Sequence, residues 1–274
     1  MRQIIFVLFS CLVLVGFAQV EQRTLAPITV YDTAHTMAYY DLDYRKDSTK
    51  NIYRKGRTIL QISENYLAFS DYYTLLIDSL NDYAVRHKEL EQEISEQIGK
   101  AIKRIEYREP LLTNLLKGAT TFQMGIWVKL EYTTPTPQIA WQLMSGDTLV
   151  NGVACKKAMG RYSGRTYVAW YAESIQLPYG PYIFGGLPGL IMCIYDTKRN
   201  WIFTNSGVGP ATSLATMYLY ADKNREKMDR KKALDSYRNE RENPVRVATG
   251  RGLLFGATPE MMKSVPSNLL EQEW

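Results

Sequence analysis

From Thr120 to Thr204 apolar and polar residues alternate at a period of two almost without interruption. That pattern constrains the fold more than anything else in the chain. A period of two sends successive side chains to opposite faces of a strand, so the stretch predicts a sheet built from short antiparallel runs. Gln123 to Thr133 reads as one strand, stopped by Thr134-Pro135-Thr136-Pro137. Ile139 to Leu143 follows, then a turn at Ser145-Gly146-Asp147 and a short run at Leu149-Val150. Val153 to Arg161 and Thr166 to Glu173 form a predicted hairpin across Tyr162-Ser163-Gly164-Arg165. Leu190 to Tyr195 is continuously apolar, which predicts a central strand. Asp196 to Asn200 then turns the chain into Trp201 to Thr204. Composition agrees, because 20 tyrosines against 8 phenylalanines, beside many Val, Ile and Thr, favour sheet over a helix bundle. The expected class is mainly β (α+β): a curved antiparallel meander or half-barrel with one long amphipathic helix packed on it.

The flanks change period. Gln19 to about Arg57 alternates loosely and predicts an edge strand or two. Leu60 to Ser70 reads as two short strands about a turn at Ser63-Glu64-Asn65. Leu90, Ile94, Ile98, Ile102 and Ile105 recur at helical spacing, predicting a helix over about 82–107 that ends before Pro110 and lays its Ile stripe on the core. Asp222 to Arg246 holds nine basic and six acidic residues and few apolar ones, the composition of a solvated helix or charged arm. Gly250 to Trp274 reads as loop, with Leu253, Leu254, Phe255, Leu269 and Leu270 available to return to the sheet. Residues 19–274 are expected to form a single domain.

The first residues address the compartment. Met1-Arg2-Gln3 is a short positive start, Ile4 to Phe17 is apolar, and Gly16-Phe17-Ala18 supplies small residues for cleavage before Gln19. Residues 1–18 therefore read as a signal peptide, and the apolar run is too short to span a bilayer. A lipoprotein signal at Cys11 is the weaker reading, since the apolar run continues beyond it. The mature chain is expected in the periplasm or secreted. Arg2 leaves with the signal, so 33 basic residues become 32 against 28 acidic. That small excess does not point to nucleic acid. Two cysteines remain, Cys155 and Cys193. An oxidising compartment allows a bridge between them, while their apolar strand-like settings equally suit two small core residues.

Leu177 to Leu190 breaks both periods. Four glycines, three prolines and three aromatics share fourteen positions, which specifies one irregular path and excludes helix and strand. Two roles compete for it. As structure, Gly180, Pro181, Leu187, Pro188 and Gly189 set the backbone, and Tyr179, Tyr182 and Phe184 plug one end of the sheet. As a site, Tyr179, Tyr182 and Phe184 wall a ligand that Gly185 and Gly186 admit to the backbone. The Gly186-Leu187-Pro188-Gly189-Leu190-Ile191 run resembles the signature of the GLPGLI family, exported proteins of Bacteroidota with no established biochemical role. Val153 to Ala158, with its Cys155 and Lys157-Ala158, resembles a second block of that family, and Gly164-Arg165 leading to Ala169-Trp170 a third. Ile62 to Ser79, ending in Asp78-Ser79, is similar to its early block. The helix near Leu90 to Ile105 resembles an enlarged insertion, and Ser267 to Glu271 matches the family's tail only loosely. The resemblance implies export and brings no catalytic residues.

Catalytic and metal patterns are not legible. His35 and His87 have no ligand or base at usable spacing, and Gly160 to Gly164 lacks the serine-nucleophile spacing. Asp41 with Asp43 and Glu91 with Glu93 read as solubilising pairs, and Asp196 as a turn-forming acid. No cofactor is expected. The leading expectation is a non-enzymatic binding or envelope-assembly protein, taking a lipid, lipopeptide or exported peptide beneath the glycine-proline loop. Its alternatives are a structural partner of an outer-membrane complex, docking by a strand edge, and an exported hydrolase with scattered residues.

Overall fold

A computed structural model describes residues 26–252, 258 and 268–271. Residues 1–18, read above as a signal peptide, and Leu253, Leu254 and Phe255 lie outside them. Among the described residues the fold is mainly β, with a large, open, antiparallel-dominated sheet and four α-helices. In chain order the strands are β1 (Ile28–Thr33), β2 (Thr36–Arg45), β3 (Tyr53–Ile62), β4 (Tyr66–Asp71), β5 (Leu111–Asn114), β6 (Ala119–Met124) and β7 (Leu130–Pro135). They continue with β8 (Gln142–Val150), β9 (Val153–Tyr162), β10 (Arg165–Ala172), β11 (Leu190–Asp196), β12 (Trp201–Pro210), β13 (Thr216–Tyr220) and β14 (Glu226–Lys227). The helices are α1 (Tyr72–Arg86), α2 (Glu91–Ile102), α3 (Arg230–Glu242) and α4 (Pro244–Gly250).

Twelve strands form one sheet in the order β14-β7-β6-β5-β4-β3-β2-β12-β11-β10-β9-β8, and β1 pairs with β13 in a separate ribbon. Two meanders therefore meet where β12 returns to pair with β2. Alternation along β2 shows why the sheet has two covered faces. Ala38, Tyr40, Leu42 and Tyr44 face the main core, and Met37 joins the second cluster behind it. There Ile59, Ala68 and Leu112 meet Leu75 of α1 and Leu214, Met217 and Leu219 of the ribbon. The buried Gln61 side chain ties the layers by donating to the carbonyls of Leu214 (2.5 Å) and Thr216 (3.0 Å).

Several expectations shift. Of the N-terminal strands β1 is an edge, in the ribbon with β13, as expected, but β2 lies inside the large sheet between β3 and β12, where its four inward apolar residues join the main core. The single helix expected over 82–107 is a pair. Asp71 caps α1 through the N–H groups of Tyr73 and Thr74, so helix begins ten residues earlier than the Ile stripe suggests. It stops at His87, which stacks on Tyr83, and a short 3₁₀ turn at Lys88–Leu90 leads into α2. Only Ile94 and Ile98 of the stripe are buried; Leu90 and Ile102 are exposed. The strand expected over Gln123 to Thr133 is two, parted by a loop at 125–129 whose Ile126 and Val128 N–H groups donate to Glu240. The charged segment 222–246 is not wholly solvated, since Ala233, Leu234, Tyr237 and Glu240 form a buried face of α3 at helical spacing. The hairpin of β9 and β10 and the central place of β11 are as expected.

Cys155 and Cys193 are free thiols. They sit on β9 and β11 with β10 between them, and two strand spacings, roughly 9–10 Å, exceed the reach of a disulfide. Burial pushes both thiols up, away from the reactive thiolate.

Candidate functional site

The hollow over the main-core face of the sheet is filled by three non-consecutive pieces: the 177–189 loop, α3, and residues 268–271. The loop is folded by its own backbone. Gly186 N–H donates to Pro178 O at 2.9 Å, Ile191 N–H to Tyr179 O at 2.9 Å, and Trp141 Nε1–H closes on Gly185 O at 2.8 Å. Gly189 has φ +153, and a Cβ there would stand 2.1 Å from the Ala172 carbonyl oxygen. Only glycine fits. Of the residues expected to wall a ligand, Tyr182 and Phe184 point into the core, Tyr179 and Gly185 are half-buried, and Gly186 is exposed. Pro181, Leu187, Gly180 and Gly189 are buried, and Pro188 is exposed. Phe184 packs on Tyr167 with ring centroids 4.6 Å apart. Tyr182 takes φ 60, a left-handed conformation that costs energy in a bulky residue and is held here by the groups around it.

What holds Tyr182 is Glu271. The Glu271 Oε1 accepts from the hydroxyls of Tyr162 (2.6 Å) and Tyr182 (2.7 Å); Oε2 accepts from Arg230 Nη2 (2.7 Å) and the Tyr132 hydroxyl (3.3 Å). Four donors on a buried carboxylate complete its hydrogen bonding. Burial first, and then the Glu271 charge, pushes the three tyrosine hydroxyls far above the usual phenol range, so they remain donors. Behind this cluster Arg165 Nη2 donates to Asn268 Oδ1 (2.5 Å) and to the Leu269 carbonyl (2.7 Å), while its Nη1 faces Asp196 Oδ2 at 3.3 Å. Asp196 also accepts from the Trp201 N–H at 2.7 Å and from Asn200 Nδ2 at 3.2 Å, the turn role expected of it. Asn268 is fully engaged, donating to Arg45 O at 2.6 Å and accepting on its carbonyl from Trp201 Nε1–H at 3.2 Å.

Sequence reasoning missed Arg165, Arg230, Tyr132, Tyr162 and Glu271. No local signal marks them, since their partners lie tens to more than a hundred residues away. Among the described residues a cavity of about 20 Å³ remains in the hollow, lined by Tyr107, Phe122, Leu234, Tyr237, Leu269 and Leu270 among others. That is room for a water and not for an acyl chain.

A second feature lies at the rim. Among the described residues β8 pairs only with β9, so its other edge is open. Leu143 and Leu149 on it are 61% and 70% exposed. His35 and His87 do not join acids into a site: His35 Nδ1 bonds Thr36 Oγ1, and His87 lies beside Glu89 on the helical pair. Among the described residues no three His, Cys, Asp or Glu side chains converge as metal ligands, and no helix is long and apolar enough to cross a membrane.

No model of a known family and no curated protein matches the chain. Among solved structures it is similar to PNGF-II in two crystal forms, at 13% identity, with TM-scores of 0.47 and 0.46 over 74% of this chain. The chain spans only about a third of PNGF-II. It is also similar, with a TM-score of 0.22 and 7% identity, to an outer-membrane lipoprotein-sorting protein domain from Vibrio parahaemolyticus, over 65% of this chain and 86% of that one. Both likenesses are distant in fold as well as in sequence.

Proposed function

We propose that this is an exported GLPGLI-type protein that works by binding, and that it takes an extended segment of an envelope protein along the open edge of β8. The observation that carries the reading is that edge. Nine residues long, it has no proline or lysine, and its only blunting features are Asp147 and a register shift between Met144 and Asp147. Edges of that length with exposed Leu are a template for another strand, which natural sheets otherwise cover or charge. Strand addition would supply main-chain hydrogen bonds, with Leu143, Met144 and Leu149 grading the partner by its alternate side chains. Export is supported by the residue pattern of 1–18, and the family reading by the motifs around 153–191.

A photo-crosslinking residue in place of the exposed Ser145 of β8 should trap an envelope partner in cells. Leu143→Lys with Leu149→Lys should abolish the adduct without changing the melting temperature, because both side chains are exposed. Equal trapping from a control at the exposed Leu116, far along the chain from β8, would refute the edge as the site.

A further inference from the structure

The hollow already contains a peptide. Residues 268–271, Asn-Leu-Leu-Glu, form no strand and no helix, yet all four are buried, and nearly every anchor that holds them is a side chain. This is how a groove holds an extended ligand: Arg165 reads the Asn268 amide and the Leu269 carbonyl, the two leucines fill the apolar floor, and Arg230 with three tyrosines reads the acid. The fit is incomplete. Among the described residues Tyr107 Oη, from a residue that lines the same cavity as Leu269 and Leu270, and Arg165 Nε are both buried with no hydrogen-bond partner. A buried donor left unmet costs free energy that a better-matched occupant recovers.

We infer that the hollow is a recognition groove for an extended peptide of the pattern Asn–apolar–apolar–acid, and that residues 268–271 occupy it in cis as a tethered competitor. The ligand is a segment of another polypeptide carrying that pattern. Binding in trans requires release of the cis segment, so apparent affinity is set by how often that segment leaves. The groove is separate from the β8 edge and stands without it.

The test uses the full chain and a fluorescein-labelled peptide of residues 264–274. The parent chain should bind it weakly. Glu271→Gln weakens the cis segment at Arg230 while leaving the groove intact, and should raise the apparent affinity at least about tenfold, as expected for losing a hydrogen bond to a charged group. A peptide with Gln in place of that Glu should forfeit the gain, Arg230→Met should remove it, and Leu149→Lys should leave it untouched. A folded Glu271→Gln chain that binds no better than the parent overturns the inference, as does binding indifferent to Arg230. Native-state hydrogen exchange on the unmodified chain decides independently of any variant. Amides of 268–271 should open locally, before the sheet; exchange only through global unfolding would make the segment a fixed part of the core.

Discussion

Gly189 and Gly186 share one motif and a positive φ, yet their surroundings separate them. At Gly186 an added Cβ meets nothing within 4 Å, so Ala there bears only the left-handed backbone, about 1–2 kcal/mol. At Gly189 the Cβ meets a strand carbonyl that β10 holds in place, and overpacking adds roughly 1–3 kcal/mol to the backbone strain. Gly189→Ala is therefore expected to lose at least about twice the stability lost by Gly186→Ala in urea melts. Equal losses would show that dihedral strain alone governs the motif. The glycines and prolines were legible as backbone punctuation because their effect is local. The plug role of Tyr182 and Phe184 was legible beside the competing site role; the acid that anchors Tyr182 was not, since Glu271 stands 89 residues away.

At the scale of elements, Asp71 joins three pieces of chain. Its Oδ1 caps α1, and its Oδ2 accepts from the N–H groups of Glu106 and Tyr107, where the chain leaves the helical pair for β5. Burial raises its carboxyl to about 6, against four backbone donors that pull it down. A folded value above the unfolded 3.8 means that the native state binds the proton more tightly, so this residue's contribution is full below about pH 4 and is lost as pH rises through about 6. At 1.36 kcal/mol per pH unit that is about 3 kcal/mol. The Asp71 carboxyl resonance should titrate near 6 in the folded protein. A midpoint below 4 would mean that the four N–H donors outweigh burial, and the pH trend would then reverse. Most strands were legible from their period of two, and so was the hairpin of β9 and β10; the break at 125–129 was not, nor was the place of Ser145-Gly146-Asp147 as a bulge inside β8 rather than a turn between strands. The helical pair was not: α1 carries Tyr and Thr where α2 carries the Ile stripe, and its start depends on a cap, which a periodicity scan does not see. The buried face of α3 was hidden by its charge, though Ala233, Leu234, Tyr237 and Glu240 mark it once the spacing is followed.

Across the whole molecule the structure divides into parts held by distant contacts and one part held mostly by itself. The two meanders of the open sheet join through β2 with β12, the ribbon of β1 with β13 covers the second face, and residues 268–271 fill the hollow. These pairings span most of the sequence, and neither β2 nor β12 can be released without exposing core. The helical pair is different. α1 and α2 pack mainly on each other; Tyr83, Val85, Leu90 and Ile102 remain exposed, and beyond Leu75 and Tyr73 few of their side chains are buried in the body of the protein. Opening α2 therefore gives up little apolar burial and leaves the sheet intact, which places it at the low end of the local stability range. Native-state hydrogen exchange should find the amides of 91–102 opening several kcal/mol below those of β2, β3, β11 and β12, with a small denaturant dependence that reflects the small surface exposed. If the α2 amides exchange in step with the central strands, the helical pair is part of the cooperative core and its exposed apolar residues must be covered by something other than the described chain.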